Sequence, residues 1–296
     1  MATSLEKKLR KILDEKKEKI IPENIKKGVT IFNVEGNLDT DNTNNPDNPN
    51  NTYNALVSGG RDFAKFDVKY CLNEINEIDV SYITSMNRAF YGCVYLTKVG
   101  RFLNASNITN ISYMFYDCRS LLGVLDLSNF GIVTDISDAF NCCLGVTKII
   151  LPQLDVTSYY ETFLQCNALT EIIGLNTENV TNYYGAFNNC YSLQNLEQLD
   201  GNKTINVRNM FANAKALENF GGILNLGKAY TNTTVNYANY TLNLSSAPLT
   251  HESLMNVINN LYTITTAQSL ILGATNLAKL TSDEIAIATN KGWNVS

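Results

Sequence analysis

A short pattern of apolar positions recurs six times through the middle of the 296-residue chain. It aligns on a phenylalanine that returns every 23 to 25 residues: Phe90, Phe115, Phe140, Phe163, Phe187 and Phe211. Three residues later comes a small apolar residue: Cys93, Cys118, Cys143, Cys166, Cys190 and Ala214. A fixed period in the twenties is typical of proteins in which stacked units share one core. The pattern therefore predicts a solenoid of about six repeats.

Each repeat carries two apolar spacings. The residues four and one before the Phe, the Phe itself and the Cys follow the i, i+3, i+4, i+7 spacing of one helix face. Segments 124–127, 149–151 and 172–175 fall at an equal phase and are rich in β-branched and aliphatic residues. Each repeat is therefore predicted to be a short helix and a short strand. This makes the fold class α/β, with a parallel sheet on one face and helices on the other.

The N-terminal region differs from the repeats. Residues 4–19 predict a thin amphipathic helix with Leu5, Leu9 and Ile12 on its apolar stripe. This helix would suit a small coiled coil or docking onto another protein, and a frayed helix is the alternative. Residues 20–38 form a second small unit with one helical turn and one or two short strands. The residues that define this unit are Pro22, Ile25, Gly28, Val29, Ile31, Val34 and Gly36.

The remaining boundaries follow from composition. Residues 39–54 are rich in Asn, Pro and Asp and predict an extended linker. We predict domain divisions at 1–38 (N-terminal helix and module), 39–54 (linker), 55–225 (repeats with an N-terminal cap) and 226–296 (C-terminal cap). Within the last region we expect a helix from His251 to Tyr262, a strand from Ser269 to Leu272 and a second helix opened by Thr281. This region should close the open end of the repeats.

Charge is unevenly distributed along the chain, whose formal net charge is −5. Residues 1–38 hold nine Lys/Arg and six Asp/Glu, a net +3, which leaves a net −8 on the remainder. An acidic repeat body argues against nucleic acid as a ligand. The basic N-terminus would suit an acidic partner or be a solvated helix face. The sequence shows no secretory leader at Met1 and no apolar stretch of about 18 residues, so we expect synthesis in the cytoplasm and no membrane insertion.

The sequence predicts no catalytic, metal or cofactor site. Five of the seven Cys share one repeat position, which favours core packing over disulfides. His251 is the only histidine, and there is no Cys-x-x-Cys motif. The carboxylate pairs Glu74/Glu77 and Asp135/Asp138 are predicted to be solvated. We therefore expect a protein that is not an enzyme.

Tyrosines are the candidate binding residues. The tandems Tyr159-Tyr160 and Tyr183-Tyr184 stand at matching phases, so the first of each pair should be buried and the second exposed. Exposed aromatic residues carry binding energy at interfaces. We expect Tyr160 and Tyr184 either to bind a ligand or to pack on the next repeat's turn. The same two alternatives hold for the other candidates, Tyr91 and Tyr116.

Two segments resemble known families. The run from Ile108 to Leu121, followed by residues 125–130, resembles the BspA-like leucine-rich repeats of bacterial surface proteins. The resemblance implies a leucine-rich-repeat-type fold. Residues 22–32 resemble a short module of phage virion proteins, and residues 277–293 resemble the closing segment of such repeat proteins in phage and prophage genomes. Asn33 departs from the glycine that is frequent in the module.

Together these resemblances imply a phage virion structural protein, such as a head fibre, a decoration protein or a tail-associated adhesin. Its N-terminus would bind other virion proteins of the capsid or tail. Its repeats would bind a host cell-surface glycan or protein, and a homo-oligomer is compatible with the N-terminal helix. The alternative is a bacterial surface or secreted leucine-rich-repeat adhesin.

Overall fold

A computed structural model describes residues 55–56, 74–81, 83–229 and 241–296. The strands before residue 230 are short and regularly spaced. They are β1 (Ala55–Leu56), β2 (Glu74–Asp79), β3 (Lys98–Leu103), β4 (Leu122–Asp126), β5 (Gly145–Ile150), β6 (Glu171–Ile173), β7 (Asn195–Leu196), β8 (Leu199–Asp200), β9 (Asn219–Phe220) and β10 (Ile223–Leu224). The three strands predicted at 124–127, 149–151 and 172–175 correspond to β4, β5 and β6.

Strands of successive repeats pair in parallel. β1, β2 and β3 form one sheet, β4, β5 and β6 a second, and β7–β9 and β8–β10 form two-stranded pairs. In the second sheet Leu125 pairs with Ile149, and Ile149 pairs with Ile172. These pairings join segments about one repeat apart, so each repeat is completed by its neighbour. The fold is that of an α/β repeat protein.

The six phenylalanines form a continuous stack inside the repeats, here called the inner ladder. Each ring is 0 or 1% exposed. Ring centroids of neighbouring repeats lie 5.2, 6.2, 5.7, 5.6 and 5.6 Å apart with near-parallel planes. A flat ring on a flat ring fills the space between repeats without a void. The stack therefore carries much of the apolar burial that holds the repeats together.

The cysteines form a second buried column beside the inner ladder. Sγ of Cys118, Cys143, Cys166 and Cys190 each donates to the carbonyl of the Phe one repeat earlier, at 3.1 to 3.3 Å. All six cysteines in the described residues are free, which confirms the packing interpretation there. Burial raises the pKa of these four thiols, to about 12 for Cys190. They are therefore inert packing groups at neutral pH.

The helix predicted around each Phe is wrong. Within residues 83–229 these segments are strings of turns, and the 3₁₀ turn at Ala105–Asn107 lies outside them. In the second repeat, Tyr113, Phe115 and Asp117 donate their backbone N–H to the next repeat, while the residues between them donate three residues back within their own turn. An α-helix would use all of these donors internally and leave none to join the repeats.

The backbone conformation of these segments also explains why they are not helical. The residues two before and two after each Phe all have a positive φ, including Arg88, Tyr113 and Asp138. A left-handed residue at every fourth position ends any α-helix within one turn. We call each of these stretches, from five residues before the Phe to four after it, a turn segment. We number the repeats 1 to 6 by their Phe.

The C-terminal residues form a small α/β unit against the last repeat. Its elements are β11 (Leu242–Asn243), α1 (His251–Asn260), β12 (Gln268–Ile271), α2 (Ala274–Leu277), α3 (Ser282–Asn290) and β13 (Trp293–Val295). Strands β11, β12 and β13 pair in parallel. The predicted helices at His251 and Thr281 and the strand near Ser269 are confirmed, whereas α2 was not predicted.

Capping explains where these helices begin. Thr250 accepts from the N–H of Ser253 at the start of α1. Thr281 and Glu284 form a reciprocal capping box at the start of α3.

The C-terminal unit contacts the sixth repeat through the N–H of Phe220, which donates to Oγ of Ser253, and through other backbone bonds. Its helix α1 therefore covers the β9 end of the repeat stack. The wider domain division stays a prediction.

Candidate functional site

A side-chain turn opens each turn segment and fixes the position of the residues after it. The residue five before the Phe is a Ser, Asn or Asp, and its oxygen accepts the N–H two residues later at 2.9 to 3.2 Å. The acceptor residues of repeats 1 to 3 pair along the stack as isolated parallel bridges, and so do those of repeats 4 to 6. Short polar side chains of these types favour such turns. The turns hold the residue three before the Phe, which is Tyr160 in repeat 4 and Tyr184 in repeat 5.

Tyr160 and Tyr184 form an exposed stack on the outer side of the turn segments. Their centroids lie 5.2 Å apart with planes 11° from parallel, and Tyr160 is 37% exposed. Their predecessors Tyr159 and Tyr183 are buried and donate their hydroxyls to the carbonyls of Asn176 and Asp200. The first tyrosine of each tandem is therefore buried and Tyr160 is exposed, as expected, whereas Tyr184 is half-buried.

Tyr91 and Tyr116 form a second outer stack. Their centroids lie 4.7 Å apart with planes 3° from parallel. Tyr113 packs beside both rings, with centroids 6.5 and 5.8 Å away. The guanidinium of Arg88 lies 5.0 Å from the Tyr113 centroid and 5.7 Å from the Tyr91 centroid, within cation–π range. This group is half-buried and presents three phenol rings and one cation.

Repeat 3 separates the two stacks and carries small polar residues instead of rings. Ser137 holds the position of Tyr160, and Asn141 holds the position of Tyr116. Between them Asp138 is 2% exposed. Its carboxylate accepts from Nδ2 of Asn141 at 2.8 Å and from the Tyr113 hydroxyl. Asp138 therefore links repeat 2 to repeat 3 beneath the outer surface.

The electrostatics of this region are negative. Burial raises the pKa of Asp138, and the hydrogen bonds from Asn141 and Tyr113 offset part of that rise. Burial, with the charge of Asp138 added, also raises the pKa of the Glu161 carboxyl. Burial is likewise the main cause that raises the pKa of the Tyr113, Tyr116 and Tyr160 phenols, and the charge of Asp138 contributes to each. These phenols are therefore neutral hydrogen-bonding groups at physiological pH.

Sequence reasoning missed three members of this surface. Asp138 was assigned to a solvated pair with Asp135, but the left-handed turn buries it. Tyr113 and Arg88 lie two residues before their Phe, a position that the helical interpretation left unassigned. The useful signal was the residue type at the positions two before and two after each Phe, because many of them are Gly, Asn or Asp, which favour a positive φ.

The other predicted site residues fall elsewhere. Every candidate anchor residue lies in residues 1–38, outside the described residues. Among the described residues no group of three or more His, Cys, Asp or Glu is placed to hold a metal ion. None of the helices in the described ranges is long and apolar enough to cross a membrane.

Comparison with known proteins identifies the repeats. No curated protein sequence matches the chain. A family model described as the BspA-type leucine-rich repeat region matches residues 83–218 in six copies. That span begins just before the first inner-ladder Phe and ends just after the sixth turn segment. Residues 83–218 are therefore similar to the BspA-type leucine-rich repeat region.

Proposed function

We propose that this protein is a binding protein whose repeats display an outer tyrosine surface to a ligand on a cell. The observation that carries the proposal is the pair of outer stacks, Tyr91–Tyr116 and Tyr160–Tyr184. The inner ladder already fills the core of every repeat, so packing alone gives no reason for rings on the outer side in repeats 1, 2, 4 and 5. Exposed and rigid tyrosines are efficient binding groups because they lose little entropy when a ligand covers them.

The proposal includes a place of action. The repeats form a solenoid head, joined by the linker 39–54 to an anchor within residues 1–38, and the anchor binds a capsid or tail protein of a phage particle. Support for this part is the resemblance of residues 22–32 to a virion module and the distinct positive charge of residues 1–38. Many copies on one particle would raise a weak single-site affinity through avidity.

The alternative is a bacterial surface or secreted adhesin. It keeps the same binding head and differs only in the partner to which the N-terminal region attaches. The BspA-type repeats are compatible with both, so the tyrosine surface does not distinguish them. The proposal assigns no catalytic role in either setting.

Binding to whole cells tests the head. Full-length protein carrying a fluorescent label should bind the surface of the host bacterium, and Tyr160→Ala and Tyr116→Ala should each reduce that binding. Tyr95→Ala is the matched control, because Tyr95 is 52% exposed and belongs to neither outer stack. Equal loss in all three variants, or no binding by the unmodified chain, would refute the proposal.

Particle imaging tests the anchor. Cryo-electron microscopy of phage particles from the source should show residues 1–38 seated on a capsid or tail protein with the repeats projecting outward. A chain that lacks residues 1–38 should be absent from particles while its repeats stay folded. Absence of the complete chain from every particle would favour the bacterial adhesin.

A further inference from the structure

The two outer stacks each end at repeat 3. Tyr160 stacks on Tyr184, and Ser137 holds the equivalent position in repeat 3. Tyr116 stacks on Tyr91, and Asn141 holds the equivalent position in repeat 3. Neither a serine nor an asparagine supplies a ring, so both stacks end beside repeat 3. We call the outer surface of repeat 3 between Tyr116 and Tyr160 the repeat-3 gap.

The size of the gap follows from the inner ladder. One step of the ladder separates repeat 3 from each neighbour, with centroid spacings of 6.2 Å to repeat 2 and 5.7 Å to repeat 4. Within the outer stacks one ring already fills one such step, at 4.7 and 5.2 Å. A single flat ring-shaped group therefore fits in the gap, at the position where Ser137 has no ring to continue the stack.

The gap has a polar floor. Repeat 3 contributes the hydroxyl-bearing Ser137 and the buried Asp138 carboxylate, which accepts from Asn141 and from the hydroxyl of Tyr113 in repeat 2. Donors and acceptors beneath an aromatic wall match a ring that has one apolar face and hydroxyls around its edge. A pyranose sugar has this arrangement, with axial C–H groups on its face and hydroxyls at its rim.

Charge selects among sugars. The turn segments of repeats 2 to 4 hold the carboxylates of Asp117, Asp135, Asp138 and Glu161 against the single guanidinium of Arg119, a formal net charge of −3. Arg119 already pairs with Asp117 at 2.6 Å. The turn segment of repeat 1 adds the guanidinium of Arg88, which lies over Tyr113, so the turn segments of repeats 1 to 4 together carry a formal net charge of −2. A carboxylate or phosphate on the ligand would be placed near this excess of like charge, which costs affinity.

We propose that the repeat-3 gap binds one uncharged pyranose ring of a surface glycan, which stacks on Tyr160 and hydrogen-bonds Ser137 and Tyr113. The inference deepens the proposed function and depends on the repeats binding a cell surface. It assigns the ligand class as neutral glycan and excludes glycans whose recognised sugar is acidic.

Filling the gap is the sharpest test. Ser137→Tyr should extend the Tyr160 stack by one ring, keep the fold and occupy the position of the sugar. Full-length protein should bind neutral members of a printed oligosaccharide array, with little signal on members that bear uronic acid, sialic acid or phosphate. For the strongest neutral oligosaccharide, Ser137→Tyr and Tyr160→Ala should each weaken binding at least tenfold by calorimetry. Tyr95→Ala should leave the affinity unchanged.

The outcomes separate the inference from the proposed function. Each variant is first checked for a cooperative melting transition well above the assay temperature, so a lost affinity is not a lost fold. Preference for acidic oligosaccharides, an array with no neutral binder, or unchanged binding by Ser137→Tyr would overturn the inference. Cell binding that survives in Ser137→Tyr but is destroyed by protease treatment of the cells would overturn it as well, while the proposed function would stand. Failure of the unmodified chain to bind any cell would overturn the proposed function itself.

Discussion

The inner ladder of phenylalanines and the two outer stacks of tyrosines lie on the same turn segments but differ in continuity. The inner ladder has a phenylalanine in all six repeats. The outer stacks have tyrosines in repeats 1, 2, 4 and 5 and change both position and residue type along the stack. A position that packing requires keeps its residue type in every copy. A position that varies while the backbone stays constant is available for recognition, and this difference supports assigning stability to the inner ladder and binding to the outer one.

The largest expected effect comes from the inner ladder. Phe163→Ala should lower the free energy of unfolding by about 3–5 kcal/mol, because it removes a fully buried ring between two stacked neighbours. Urea unfolding followed by circular dichroism measures this. The control is Leu164→Ala, one residue away on the outer side, which should cost about 1 kcal/mol or less. Similar losses in both variants would contradict the division between the ladders.

High pH should also lower stability through the buried column of cysteines. Burial raises the pKa of Cys118, Cys143, Cys166 and Cys190, so the folded state keeps these thiols protonated when the unfolded chain ionises them. The stability they contribute is complete below about pH 9 and falls as pH rises toward their folded pKa. Unfolding at pH 10 should require about 1 kcal/mol less per buried thiol than at pH 7.5. Cys190→Ala should show a smaller decrease, and a pH-independent free energy would refute the prediction.

Asp138 should act in the same direction, but at lower pH. Its pKa is raised in the folded state, so its stabilising contribution is present below the ordinary carboxyl pKa and is lost as pH rises through the folded value. At pH 7 the buried carboxylate therefore costs stability. Asp138→Asn should raise the free energy of unfolding by about 1 kcal/mol at pH 7 and have no such effect at pH 3.

Asp135→Asn is the control for that variant. Asn110 and Asn182 make the same side-chain turn at the equivalent position, so the free energy of unfolding should not change. A destabilising Asp138→Asn would mean that the carboxylate is retained for packing. A stabilising one would mean that the outer surface keeps a costly charge, which is common where a residue serves binding.

Loss of a ring from the outer stack should affect stability much less than loss of a ring from the inner ladder. Tyr184→Ala removes one half-buried ring and should cost about 0.5–1.5 kcal/mol. A double-mutant cycle with Tyr160→Ala measures the coupling between the two rings. A cost as large as that of Phe163→Ala would show that the outer stack is a structural element like the inner one.

Periodicity alone was enough to predict the repeats, their core and their strands. The positions of Phe140 and Cys143 predict burial whatever backbone carries them. The same spacing could not distinguish a helix from a string of turns, because both return a side chain to one face every three or four residues. That choice depends on whether the N–H of Tyr113 bonds within its own repeat or to the next, which is a long-range contact.

The geometry of the candidate binding surface was predicted in part. The orientation of Tyr160 and Tyr184 followed from their phase, but the burial of Asp138 did not, because a positive φ redirects a side chain that a helical spacing would expose. The C-terminal helices were better predicted because their signals are local. Thr281 and Glu284 form their capping box within a few residues and need no partner repeat.

Because the backbone hydrogen bonds of the turn segments alternate between bonds within a repeat and bonds to the next, the fold can accommodate a different number of repeats. In repeats 1 to 5 the backbone N–H groups of the Phe and of the residues two before and two after it donate to the next repeat, so a repeat inserted between two others would find the same partners. Duplication of a single 25-residue unit, such as 115–139, would add one more step to the inner ladder and leave both ends unchanged. Gain or loss of repeat-sized pieces by recombination is thus the change this fold tolerates best. It would change the distance between the outer stacks while leaving the residues of each stack unchanged.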